Sequence, residues 1–133
     1  MRDPQDQLAA VGVLPPEHAE AYSVDLAQFL RAQIEWSTAT FGPGNRTEGL
    51  IDHVRSELDE LWHAPSEADE LGEWIDVAIL ALDGAWRCGY TPEEVCRALL
   101  AKAERNRRRG WPDWRTAAPG RAIQHLTEGD DPK

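Results

Sequence analysis

The sequence predicts an all-α fold, and three observations carry that expectation. Apolar residues recur at three- and four-residue intervals through four long segments. Most of those segments are bounded by cap, proline or glycine signals. No strand-length alternating stretch stands out, and there is no internal repeat. Four helices are therefore expected to pack together, with an extension at each end.

Residues 1–22 are rich in Pro, Ala and Glu and read as an arm or short helix outside the core. Residues 23–127 read as the domain, and 128–133 as a tail. Leu26, Phe29, Leu30, Ile34 and Ser37 share one helix face, with Ser23 as a suitable cap and an end near Thr40. Phe41 to Arg46 is a loop carrying Gly-Pro-Gly. Thr47 can cap a second helix reaching about Leu61, with Leu50, Ile51, Val54, Leu58 and Leu61 as its apolar stripe. Ser66 caps a third helix, expected from Glu67 to about Cys88 and stopped by Gly89. Its wide apolar side, including Leu71, Trp74, Ile75, Ile79 and Trp86, is expected to be buried, and Trp62 to pack. Thr91-Pro-Glu-Glu94 supplies a cap, a first-turn proline and a capping-box glutamate for a fourth helix ending near Arg109. Residues 119–127 are expected to form a last short helix.

A chain of 133 residues is long enough for one domain with a real core. Its 14 basic and 24 acidic residues give a net charge of −10, which argues against general binding to nucleic acid or anionic membrane. Two cysteines, Cys88 and Cys96, make neither a disulfide framework nor a zinc site. No apolar run is long enough to span a membrane, and the first residues lack the apolar core of a signal peptide. A cytoplasmic location is expected.

The charge is clustered. Residues 52–76 hold nine acids and one Arg, while 102–115 hold six bases and two acids. Within the acidic part, Glu57-x-x-Glu60 precedes Glu73-x-x-Asp76 by twelve residues. An i, i+3 pair lies on one helix face, and a link of about four residues suits antiparallel neighbours. The four carboxylates can then surround one small volume. Like charges that close repel unless a cation lies between them. Hard oxygen ligands suit Mg²⁺ or Mn²⁺. Lys102, Asn106 and Arg109 form a polar stripe on the fourth helix that can hold phosphate oxygens. Carboxylates for metal and cations for phosphate together suit metal-assisted phosphoryl or nucleotidyl transfer.

The order Glu-x-x-Glu, twelve residues, Glu-x-x-Asp, then Lys-x-x-x-Asn-x-x-Arg resembles the all-α nucleoside triphosphate pyrophosphatases of the MazG-like superfamily. Three further blocks resemble its dATP/dGTP diphosphohydrolase (MazZ-like) branch, known from phages and bacteria. They are Thr40-Phe-Gly-Pro-Gly-Asn-Arg-Thr-Glu-Gly49, Glu73-Trp-Ile-Asp-Val-Ala-Ile-Leu-Ala-Leu-Asp-Gly-Ala-Trp86 and Trp111-Pro-Asp-Trp-Arg115. The resemblance covers roughly residues 26–126. It implies a MazG-like four-helix arrangement completed by oligomerisation, as a homodimer or homotetramer. It also implies hydrolysis of a purine deoxynucleoside triphosphate, dGTP or dATP, to the monophosphate and pyrophosphate. Glu57, Glu60, Glu73 and Asp76 would be the metal ligands and catalytic carboxylates, with two or three Mg²⁺ or Mn²⁺ ions per site. Lys102, Asn106 and Arg109 would contact the phosphates. In a phage such an enzyme would act in the host cytoplasm on the deoxynucleotide pool, feeding 2-aminoadenine DNA synthesis.

Each candidate has a plainer alternative. A Glu-x-x-Glu on an exposed helix is commonplace, and only the whole order of motifs sets these acids apart. Trp36 and Phe41 can stack on a base or simply pack. Gln33, one turn before Trp36, can hydrogen-bond a purine edge or cap the core. His53 can touch the nucleotide or remain an ordinary histidine. Asp83 can reach a metal or the sugar, or pair helices. Two other functions compete: a phosphoribosyl-ATP or pyrimidine dNTP pyrophosphatase on the same scaffold, and a non-catalytic acidic helical interaction protein.

Overall fold

The computed structural model describes residues 3–10, 12 and 23–127. The expectations for residues 13–22 and for the 128–133 tail lie outside them. The elements are α1 (Pro4–Ala10), α2 (Leu26–Phe41), α3 (Thr47–Trp62), α4 (Glu67–Trp86) and α5 (Pro92–Arg108), then a single 3₁₀ turn at Trp114–Thr116. The fold is all-α, with no strand among the described residues. No helix there is long and apolar enough to cross a membrane. The chain divides into two compact units, residues 1–96 and 97–133, and the division falls inside α5.

Local chemistry fixes the helix ends. Asp25, rather than Ser23, caps α2, its carboxylate accepting from the Gln28 amide at 3.1 Å. Thr47 is the first residue of α3 rather than its cap. Its amide and hydroxyl both donate to Asn45 Oδ1, at 3.0 and 2.8 Å, so Asn45 organises that turn. Ser66 caps α4 as expected, accepting from the Asp69 amide at 3.1 Å while its hydroxyl donates to Asp69 Oδ2 at 2.5 Å. At α5 the capping box closes in both directions: the Thr91 amide donates to Glu94 Oε1 at 3.1 Å, and the Glu94 amide to Thr91 Oγ1 at 3.2 Å.

In the first unit, α3 packs along α4, with α2 also against α4. Gly84 leaves room for Leu50, whose Cδ1 would stand 3.8 Å from a Cβ placed there. Arg31 pairs with Glu93, joining α2 to the start of α5. Of the described residues, Leu30, Leu50, Ala68 and Val95 are the buried apolar ones. The expected burial of the α4 apolar side is not met within one chain. Trp74 and Ile75 are each 51 % exposed, and Trp62 at the end of α3 is 85 % exposed. Helical spacing reveals an apolar stripe, but not whether its cover comes from the same chain.

In the second unit, no helix forms at 119–127. Pro119-Gly120 makes a turn, with Gly120 at φ +72°, and irregular chain follows. The Leu126 amide returns to the Gly110 carbonyl at 2.8 Å. The Trp111 ring meets His125 edge-on, with centroids 5.9 Å apart.

Candidate active site

Glu57 and Glu60 project from α3, and Glu73 projects from α4. Each offers one carboxylate oxygen, and the three oxygens lie within 4.8 Å of one another. The i, i+3 spacing and the short link through Pro65 produce this meeting, as the sequence predicts. Asp76 stands outside that trio and lines the adjoining cleft beside Glu57.

Oε2 of Glu57 and Oε2 of Glu73 are buried and have no hydrogen-bond partner with both groups ionised. Leaving buried oxygens unsatisfied is costly. A shared proton is one remedy. The hydrogen bond with Glu57 pushes the Glu73 carboxyl up to about 7, and burial and the charges of Glu60, Glu57 and Asp76 act the same way. On Glu57 the bond to Glu73 has the lowering effect, but burial and the charges of Glu60 and Asp76 outweigh it, and that carboxyl too is raised. A divalent cation is the other remedy. Three clustered carboxylates, two of which carry an unpartnered buried oxygen, fit Mg²⁺ or Mn²⁺.

A cleft adjoins this cluster. Gln33, Trp36, Ser37 and Phe41 come from α2; Leu50, His53 and Glu57 from α3; Asp76, Ile79, Leu80 and Asp83 from α4. Arg46 completes it from the loop. The structure thus brings Gln33, Trp36, Phe41, His53 and Asp83 to one cleft that two of the acids also line. Trp36 and Phe41 meet edge-to-face with centroids 5.6 Å apart, and the Arg46 guanidinium lies 5.4 Å from the Phe41 ring centre. His53 Nε2 is 3.2 Å from Glu57 Oε1. Asp83 is buried, and its oxygens are engaged within the chain by Trp86 Nε1 at 3.0 Å and Arg87 Nε at 2.6 Å. Its carboxylate is thus held by Trp86 at the end of α4 and by Arg87 just after it.

Sequence reasoning missed Ser37 and Arg46 as lining residues and Arg87 as a partner. The i, i+4 spacing of Asp83 and Arg87 was a signal for the last. Lys102, Asn106 and Arg109 belong to the second unit. There Arg109 donates to Asn106 Oδ1 at 3.2 Å, and the Asn106 carbonyl accepts from Trp111 Nε1 at 2.7 Å. Nearby, Arg115 bonds Asp113 through its amide and Nε, both at 2.9 Å, and holds that carboxyl below its ordinary range.

The family model described as dATP/dGTP pyrophosphohydrolase matches residues 29–129. A protein named dATP/dGTP diphosphohydrolase from Cyanophage S-2L is 35 % identical over 103 residues, covering 77 % of this chain and 90 % of the relative. The Eaa protein of Salmonella phage P22 is 32 % identical over 123 residues, covering 92 % of this chain. The chain spans only 38 % of that phage protein's length. No solved structure matches. The matched segment runs through the acidic cluster, the cleft and the Lys102–Arg109 stripe, and the chain belongs to the dATP/dGTP pyrophosphohydrolase family, enzymes that hydrolyse nucleoside triphosphates.

Proposed function

We propose that this chain hydrolyses a purine deoxynucleoside triphosphate, dGTP or dATP, to the monophosphate and pyrophosphate. The observation that carries this is the shared cleft: Glu57 and Asp76 line it together with Gln33, Trp36 and Phe41. Acids for metal and aromatics for a base thus meet in one place.

Glu57, Glu60 and Glu73 would hold Mg²⁺ or Mn²⁺, with Asp76 as a further ligand from the same α4 face. Bound there, the ion would supply charge neutralisation at the phosphates and Lewis acidity toward water. The chain's own residues do the rest. Trp36 and Phe41 offer ring faces to the base, and the Gln33 amide offers a donor and an acceptor to its edge. A carboxylate of the cluster accepts the proton of the attacking water. Water oxygen bonds to the α-phosphorus, the α–β bridging bond breaks, and pyrophosphate leaves. The spacing of Lys102, Asn106 and Arg109, at i, i+4 and i+7, suits them to phosphate contacts. Trp62, Trp74 and Ile75 are exposed apolar residues of α3 and α4. They support assembly with further copies of the chain, as a homodimer or homotetramer.

The test is a panel of NTPs and dNTPs with Mg²⁺ or Mn²⁺, with products identified. Purine dNTPs should give monophosphate and pyrophosphate. Release of phosphate and a diphosphate, or preference for pyrimidines, refutes the proposal. Molar mass in solution by light scattering checks the assembly, and a monomer at micromolar concentration refutes that part.

A further inference from the structure

The rim of the cleft is held by a residue that does not line it. Arg87 follows α4 directly, and its side chain is buried. Nε donates to Asp83 Oδ2 at 2.6 Å. Nη1 donates to the carbonyl oxygens of Gly42 and Gly44, both at 2.8 Å. Nη2 donates to the Ser37 carbonyl at 3.3 Å and to Ser37 Oγ at 2.9 Å. These bonds use the guanidinium's whole capacity of five N–H donors. The same group lies 4.5 Å from the Trp86 ring centre, and Trp86 in turn fixes Asp83.

Three of the five acceptors are main-chain oxygens of α2 and of the loop after it. Gly42 holds φ 92° and ψ 165°, a combination open essentially to glycine alone. Gly44 also has a positive φ, at 83°. The loop thus turns through two positive-φ residues whose carbonyls converge on one cation. Phe41 and Arg46 flank that turn, and both line the cleft.

We propose that Arg87 is a positioning residue for nucleoside recognition. By gripping the Gly42–Gly44 turn, it fixes where Phe41 and Arg46 stand against the base. The proposal rests on the cleft being the nucleoside site. Lysine cannot substitute, because a single ammonium can keep Asp83 but lacks the planar fork that spans the carbonyls.

Full-length wild type, Arg87→Lys and Gly42→Ala decide the matter by two independent readouts. Hydrogen exchange on metal- and nucleotide-free protein follows the amides of residues 41–47. Steady-state dGTP hydrolysis separates KM from kcat, with Mn²⁺ binding measured alongside. In Arg87→Lys the loop amides should exchange about tenfold faster while α3 and α4 keep their protection. KM should rise about tenfold, with kcat within about threefold and Mn²⁺ affinity unchanged. Wild-type exchange or a wild-type KM in the folded variant overturns the proposal. So does a parallel fall in kcat and Mn²⁺ affinity, which marks general loss of structure. Should Arg87→Lys fail to fold, Gly42→Ala perturbs the same turn from the backbone, and the same outcomes decide. A wild-type protein that hydrolyses no dNTP overturns the nucleotide assignment instead, and the exchange data still judge the grip on the loop.

Discussion

Glu73→Gln tests whether a proton and a cation compete for the same oxygens. In the metal-free protein the hydrogen bond with Glu57, burial and the neighbouring carboxylates hold the Glu73 carboxyl at about 7, against 4.5 for a free glutamate. The folded state therefore binds this proton more tightly than the unfolded chain does. The stability it contributes is full below about 4.5 and is lost as pH rises through about 7. Thermal unfolding in chelator should show the wild type losing stability across that window. Glu73→Gln should lose less, since its amide stays neutral and can donate to Glu57 at every pH. Metal binding must run the opposite way, because the ion displaces the proton. With a folded value of about 7, apparent Mn²⁺ affinity should fall about tenfold per pH unit below it, and roughly 100-fold by pH 5. Isothermal titration with Mn²⁺ at several pH values measures this directly. A flat Mn²⁺ affinity between pH 5 and 7, with wild type and variant unfolding in parallel, refutes the shared proton.

Other perturbations separate the parts of the site. Glu57→Gln and Asp76→Asn should each cut kcat/KM by roughly 1,000-fold, the scale of a lost charge-stabilising group, while circular dichroism stays native. Substantial turnover by either purified variant removes that residue from the chemistry. Phe41→Ala should cost about 1–3 kcal/mol of base stacking, seen as a roughly tenfold higher KM for a purine dNTP. An unchanged KM makes Phe41 a packing residue. Thr91→Ala opens the capping box on α5 and should cost about 1 kcal/mol. The melting temperature should then drop by roughly 3–6 °C with KM unaltered. No drop would mean that Glu94 alone caps the helix.

The helices were legible because their signals are local. Ser66 and the Thr91–Glu94 box act within a few residues, and sequence spacing shows them directly. Ser23 and Asp25 are both cap-forming residues two positions apart, and the three-dimensional entry of the chain chooses between them. Thr47 shows the same limit, since Asn45 takes the organising role. The acidic trio was legible because its geometry follows from i, i+3 spacing and a short link. The grip of Arg87 on α2 and its loop was not, because four of its five acceptors lie 43 to 50 residues away and three of those are backbone carbonyls. A carbonyl oxygen has no side-chain signature. The exposure of Trp62 and Trp74 was hidden for a related reason: hydrophobic spacing marks an apolar stripe, but not whether a neighbouring element covers it.

The short link between α3 and α4 also bears on the order in which structure forms. Glu57, Glu60 and Glu73 belong to one helical hairpin and are separated by few residues, so bringing them together closes only a small loop. Loop-closure entropy grows with length, and contacts of low sequence separation form fastest. The three carboxylates are thus a low-contact-order feature. The Arg87 bonds to Ser37, Gly42 and Gly44 need a much longer closure. The hairpin that presents the carboxylates can therefore assemble before the loop after α2 is drawn onto it.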